Sequence, residues 1–238
     1  MDILSNVNTR RGGKQPSHAG FTYNVSPEVQ SPQTENSHTG VTSDFAPKEN
    51  HQWFVLRVLY GHTKDVVGAF RKADILYYIP MHYQKVEISG KKRIRKGPLL
   101  PGLVFAYMIR ERTRDFVKQP SKMAKFLKYY TDKTKPVEAD TQFNPPIINP
   151  DDSMKSFISV VETKNEHILV TPKDRCHFKS GDFFQVVCGD FKGVIGQVVR
   201  AVGQQRIAVE LNGIGYVLTA YIPSEFMEKI ENNLIERG

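Results

Sequence analysis

Apolar residues along the 238-residue chain gather into short patterned runs only beyond about residue 50. Trp53-Phe54-Val55-Leu56-Arg57-Val58 is rich in aromatic and β-branched residues and predicts a strand. Gly61 and Thr63 then supply a turn and a helix N-cap, and Val66, Val67, Phe70 and Ala73 recur at three- and four-residue spacing. That period predicts a helix over about 64–73 with one apolar face. Leu76 to Met81 reads as a second strand, with Pro80 placing it at or near a sheet edge. Residues 85–96 hold six cations against the single acid Glu87, broken at Ser89-Gly90, the pattern of a long charged hairpin. Pro101-Gly102 marks a tight turn, and the uncharged run Leu103 to Met108 predicts a strand buried on both faces.

Thr113 is placed to cap a short helix ending at about Gln119, and residues 126–131 read as a strand. Residues 134–146 contain Pro136, Pro145 and Pro146 with little pattern and read as a surface excursion. Asn149-Pro150-Asp151-Asp152 is a helix start: Asn149 as cap, Pro150 at the first position, two acids where the helix dipole favours negative charge. Met154, Phe157, Ile158 and Val161 form the predicted buried stripe. The order β-α-β-β-α-β-α is that of a ferredoxin-like α+β domain, with its helices packed on one side of the sheet. Residues 163–178 read as a linker. Beyond them short strands at 183–188, 196–202, 206–211 and 215–221, divided by glycine pairs, predict a small all-β barrel, with Asn212-Gly213 as a type I′ hairpin turn. The predicted organisation is a disordered tail (1–50), an α/β sandwich (51–162), the linker (163–178) and the barrel (179–238).

Charge sharpens this division. The net +8 is unevenly spread: residues 1–50 sum to −1, residues 51–177 carry 23 cations against 13 acids for +10, and residues 178–238 sum to −1. A polyanion is expected to meet the middle segment. No window approaches the run of about 18 apolar residues that a membrane helix needs, and the N-terminus lacks a signal-peptide core. A soluble, cytoplasmic protein without membrane contact is expected. The two cysteines, Cys176 and Cys188, are too few for a disulfide framework or a four-ligand zinc site.

Chemistry of the bond-making kind is not indicated. The histidines lack metal-ligand spacing, and phosphate-binding loops, dinucleotide fingerprints and nucleophile elbows are missing from the sequence. Gly189-Asp190-Phe191-Lys192-Gly193 is glycine-rich, but a turn between strands accounts for it. The expectation is a protein that is not an enzyme and uses no metal or cofactor.

Trp53-Phe54-Val55-Leu56, the basic hairpin, Leu99-Leu100-Pro101-Gly102-Leu103-Val104-Phe105 and the glycine-marked strands together resemble the NusG family of transcription elongation factors. The C-terminal pattern is similar to a KOW module, an SH3-like barrel, with Gly189, Phe191 and Gly196 as its structural positions. Leu127-Lys128-Tyr129-Tyr130-Thr131-Asp132-Lys133, the helix from Asp151 and the ending Ala220-Tyr221-Ile222 resemble the UpxY-type antiterminators of surface (capsular) polysaccharide operons.

The resemblance implies an exposed apolar depression that binds the clamp helices of RNA polymerase, formed by Leu100, Pro101, Leu103 and Phe105 and lined or supported by Trp53 and Val55. It implies that Arg112, Thr113 and Arg114 touch the opposite wall of the polymerase cleft. The physical complement is nucleic acid, a nascent RNA leader or non-template DNA. Lys91, Lys92, Arg93, Arg95 and Lys96 are suited to phosphates, and Tyr60 and His62 to an unstacked base. The implied function is suppression of pausing and termination. The alternative is a KOW-type RNA-binding or ribosome-associated protein without a polymerase role, and the barrel is also expected to reach a ribosome or termination factor.

Overall fold

A computed structural model describes residues 41–230 apart from 89, 119–120, 139–142 and 176–177. Most of the expected tail, and Cys176, lie outside the described residues. In chain order the elements are β1 (Gln52–Val58), α1 (Thr63–Lys72), β2 (Leu76–Tyr78), β3 (Met81–Ile88), β4 (Lys91–Pro98), β5 (Leu103–Met108), α2 (Arg110–Val117), β6 (Leu127–Tyr129), β7 (Ile148–Asn149) and α3 (Asp151–Glu162). They continue with β8 (Leu169–Thr171), β9 (Phe178–Val186), β10 (Ile195–Ala201), β11 (Gln204–Leu211), β12 (Gly215–Leu218) and β13 (Met227–Ile230). The described residues form an α+β fold of three α-helices and several antiparallel sheets.

The first sheet runs β2-β5-β1-β6, with β7 also pairing with β1. Strand alternation sorts its side chains into two cores. Phe54, Leu56, Val58, Tyr77, Val104, Ala106 and Met108 face α1 and α2, meeting Val66, Val67, Phe70 and Val117. Trp53, Val55, Tyr78, Phe105 and Tyr107 belong to the opposite core, with Met154, Phe157, Ile158 and Val161 of α3. Helices therefore cover both faces, not one as the sequence suggested. The reason is that β5 is apolar throughout and β1 is apolar from Trp53 to Leu56, so neither face of these central strands tolerates water.

Helix α3 has a second buried side. Ser156 accepts a hydrogen bond from the backbone N–H of Ile195 at 3.1 Å, and Val160, one turn further on, is fully buried. This side meets the second sheet, ordered β13-β9-β10-β11-β12-β8, whose Ile207, Val209, Leu211 and Val217 continue the α3 core. Each fully buried apolar side chain on α3 contributes about 1.5–3 kcal/mol, and the helix draws that from two sheets at once. Asn149 does not cap α3; Pro150 occupies the N-cap position without a side-chain bond. Instead Asn149 Oδ1 accepts the N–H of Asn212 at 2.7 Å, and Asn212 Nδ2 donates to the Ile148 carbonyl at 2.9 Å, tying β7 to the β11–β12 turn.

Three local expectations change. Val41 and Phe45 are buried, and Phe45 packs edge-on against Trp53 at 5.2 Å, so order begins upstream of the predicted residue 51. The segment read as a linker contains β8, which pairs with β12. Asn212-Gly213 is not a two-residue turn: Leu211 pairs with Gly215, leaving a three-residue loop. The primed turn is Val202-Gly203, between the paired residues Ala201 and Gln204, with φ of +52° and +72°. A β-branched residue is strained in that region. Replacing Val202, which is 82% exposed, by asparagine is expected to stabilise the chain by about 1 kcal/mol, read as a higher urea midpoint at unchanged slope.

Candidate nucleic-acid and protein interface

The hairpin forms a separate two-stranded sheet, paired without a break from Met81 opposite Pro98 to Ile88 opposite Lys91. Eight residues at 3.4 Å each give an arm of about 27 Å. Its root is fixed by the Leu99 N–H donating to the Pro80 carbonyl at 2.8 Å. Lys91, Lys92, Arg93, Arg95 and Lys96 are all exposed, and Ile94 is 68% exposed among them. Alternation directs Lys91, Arg93 and Arg95 to one side of the ribbon and Lys92, Ile94 and Lys96 to the other. The sequence-predicted cations are therefore together on one arm, and both of its faces are positive.

Tyr60 and His62 share the loop between β1 and α1. Tyr60 is 85% exposed and adopts φ +54°, a left-handed conformation unusual for an aromatic residue. His62 stands at the N-cap position expected for Thr63 and makes no cap bond. Its ring stacks on Phe126 at 4.4 Å with an interplanar angle of 16°, and Nδ1 lies 2.7 Å from Asp65 Oδ2. One ring is thus braced while its neighbour projects into solvent.

The corner at residues 99–103 differs from the expected depression. Trp53, Val55 and Phe105 are fully buried and Leu100 is 8% exposed. Phe157 of α3 packs on Phe105 at 5.4 Å, and Phe45 and Tyr107 enclose Trp53. These residues are core, because α3 and the 41–45 segment cover the face that the sequence left open. What reaches the surface is the turn itself: Pro101 and Gly102 are exposed and Leu103 is half-buried. Gly102 adopts φ +75°, and its carbonyl accepts the Val58 N–H at 2.8 Å. Leu103 is opposite Arg57, which in turn is opposite Lys128, so this row ends the apolar face with two exposed cations.

Thr113 neither caps a helix nor reaches the surface. It lies within α2, is fully buried, and donates through Oγ1 to the Ile109 carbonyl at 3.1 Å. Arg112 is exposed and donates to the Ala73 carbonyl at 2.9 Å, and Arg114 is half-buried. In the connection between β9 and β10 Gly189 has φ +80° and Phe191 is buried, and in β10 Gly196 faces the backbone of Ala208 so closely that no side chain fits. These three positions are structural.

Tyr107 joins the early segment to α3: its hydroxyl accepts the Lys48 N–H at 2.8 Å and donates to Asp151 Oδ2 at 3.3 Å. Burial holds both the Tyr107 phenol and the Asp151 carboxyl above their ordinary ranges. Sequence reasoning missed this junction, since Val41, Phe45 and Lys48 stand in a polar stretch without period. It also missed the side of α3 carrying Ser156 and Val160, for which the only sign was a valine outside the main stripe. Among the described residues no cluster of three or more His, Cys, Asp or Glu is arranged to hold a metal ion, and no helix is long and apolar enough to cross a membrane.

The covered sheet, the detached basic arm and the Pro101 turn belong to one α+β domain. Residues 51–143 match the NusG family model, described as transcription termination factor nusG. The match covers β1 through β6, less than half of the chain. No curated protein matches the chain.

Proposed function

We propose that this protein is a transcription elongation factor that binds RNA polymerase and suppresses pausing and termination, as a cytoplasmic antiterminator of a surface polysaccharide operon. The observation that carries the reading is the NusG match over residues 51–143, the part of the chain that holds both the basic arm and the Pro101 turn. In this reading Pro101 and the half-buried Leu103 meet the polymerase clamp helices, with Trp53, Val55, Leu100 and Phe105 as the rigid support beneath them. Arg112 and Arg114 reach the opposite wall of the cleft. Contact with both walls favours the closed clamp and shifts the population away from paused states.

The arm from Lys91 to Lys96 tracks phosphates of the leader RNA or the displaced DNA strand, and Tyr60 supplies a face for an unstacked base. A left-handed Tyr60 at 85% exposure costs stability without contributing to the core, which supports a role outside the fold. The second sheet is read as the KOW module. One of its faces is occupied by α3, so a ribosomal or termination-factor partner would meet the remaining surface, where Val202 and Tyr221 are exposed.

The test is copurification. A tagged chain is expected to retain RNA polymerase after nuclease treatment, and Leu103→Asp to reduce that retention at least tenfold while the urea midpoint shows the fold intact. Recovery of ribosomal subunits without polymerase would instead establish the ribosome-associated alternative. In a pulse-chase transcription assay the wild-type chain is expected to increase read-through past terminators, and unchanged read-through refutes antitermination.

A further inference from the structure

A cavity of about 300 Å³ opens where α2, the edge strand β6 and the 143–146 segment meet, away from the arm and the Pro101 turn. Arg110, Arg114 and Lys118 line it at successive four-residue steps, so three cations fall on one side of α2 and its end. Like charges at this spacing destabilise a helix. Among the described residues the first has its counter-ion there: Arg110 donates twice to the Glu138 carboxylate, at 2.8 and 3.1 Å. That fork engages the one acid among the described lining residues. It also braces the strip of chain whose Glu138 N–H donates to the Phe143 carbonyl at 2.9 Å.

Lys128 lines the cavity as well. Its ammonium donates to the Ala124 carbonyl, a bond that leaves its charge in place. Among the described lining residues, Arg114, Lys118 and Lys128 thus remain as an excess of three positive charges. Two aromatic rings, Tyr129 and Phe143, line the cavity too, beside Val117, Thr131, Asn144 and Pro146. The Phe143 ring is 69% exposed, and Tyr129 is half-buried with its phenol pushed up to about 12 by burial, so the hydroxyl stays a donor across the physiological range.

We infer that this cavity is a nucleotide-binding site, with a base against Phe143 and Tyr129 and its phosphate on Arg114, Lys118 and Lys128. A bare phosphate would leave the aromatic wall unused, and an apolar group would leave the cations unrelieved. A nucleotide satisfies both. The volume lies at the lower end of the range for small-molecule sites and suits one nucleotide unit. The source is either a free nucleotide or one unit of a single strand. β6 begins directly after Phe126, on which His62 stacks, so a strand passing the Tyr60 loop would come next to the cavity. The inference goes beyond the polymerase reading and does not depend on it.

The experiment uses the full chain with a fluorescein-labelled dodecamer of uridine or thymidine, followed by anisotropy across a salt series, and with uridine monophosphate followed by calorimetry. Phe143→Ala is expected to weaken binding about tenfold at unchanged salt slope, because a stacked base is lost and no charge is removed. Lys118→Gln is expected to weaken binding and reduce the salt slope by about one. Lys92→Gln in the arm leaves the Phe143 effect intact. Both cavity residues are accessible, and urea midpoints establish that each variant is folded. Equal affinity for monomer and dodecamer identifies a free nucleotide as the ligand, and preference for the dodecamer identifies a strand. Wild-type affinity for both probes in Phe143→Ala and Lys118→Gln, or no binding of either probe by the unaltered chain, overturns the site. Failure of polymerase copurification leaves these results untouched.

Discussion

Replacing Trp53 by alanine should cost about 3–5 kcal/mol, a large share of the roughly 5–15 kcal/mol typical of a folded domain. Trp53 is fully buried, meets Phe45 at 5.2 Å and Tyr107 at 5.0 Å, and belongs to the core that includes α3. Phe45 packs on Trp53 as well as on Tyr107, so the loss should spread to the 41–45 segment first. Trp53→Phe should cost far less. The indole Nε1 is buried without a hydrogen-bond partner, a deficit of about 1–3 kcal/mol, and phenylalanine removes that donor while keeping an aromatic ring. Urea unfolding of the two variants checks the order. If Trp53→Ala kept the wild-type midpoint and lost only polymerase retention, the residue would be a docking contact and not core.

The second large effect is expected at Gly196. A Cβ there would lie well inside contact distance of the Ala208 carbonyl oxygen, 2.7 Å from Ile207 Cγ2 and 2.9 Å from the Ala208 carbonyl carbon. Two of these atoms are backbone on the neighbouring strand and cannot rotate away. Gly196→Val should therefore force β10 from β11 and cost about 3 kcal/mol or more. Gly213→Ala makes a useful contrast. Its Cβ would run into Ile147, but the nearest atom is the end of a flexible side chain, and the position carries φ +67°. A smaller loss is expected, confined to the junction between β7 and the β11–β12 turn. Midpoints that rank Gly213→Ala below Gly196→Val would contradict this account.

Legibility in the sequence followed the periodicity of the chain. β1, α1, β5 and the Met154-Phe157-Ile158-Val161 stripe formed where apolar spacing placed them, because each buries a face that the pattern marks directly. The charged hairpin was equally plain, since neither of its faces needs a core. Burial at the corner was not. Leu100, Phe105 and Trp53 are as apolar in a core as in a docking surface, and only the cover supplied by α3 and Phe45 decides between them. Asn149 next to Pro150 looks like a helix cap, yet a side-chain acceptor is equally available to Asn212 across the fold, and the tertiary partner won. The turn between β10 and β11 was expected at Gly203-Gln204, one residue late, because a β-branched residue such as Val202 is the least expected occupant of a primed turn. The cavity beside α2 joins the four-residue steps of Arg110, Arg114 and Lys118 to Lys128, Tyr129 and Phe143, which no local pattern connects to them.

Helix α3 has one further consequence, for the order in which the protein is made. The helix is complete at Glu162, but the strands that close over Ser156 and Val160 end only with β12 at Leu218. At roughly 5–20 residues per second, several seconds of synthesis separate the two. During that interval the first sheet can fold against its own side of α3 while the other side is bare, and a truncation shortly after Glu162 would make that state permanent. Such a fragment should aggregate at lower concentration than the full-length chain, as light scattering of the two would show.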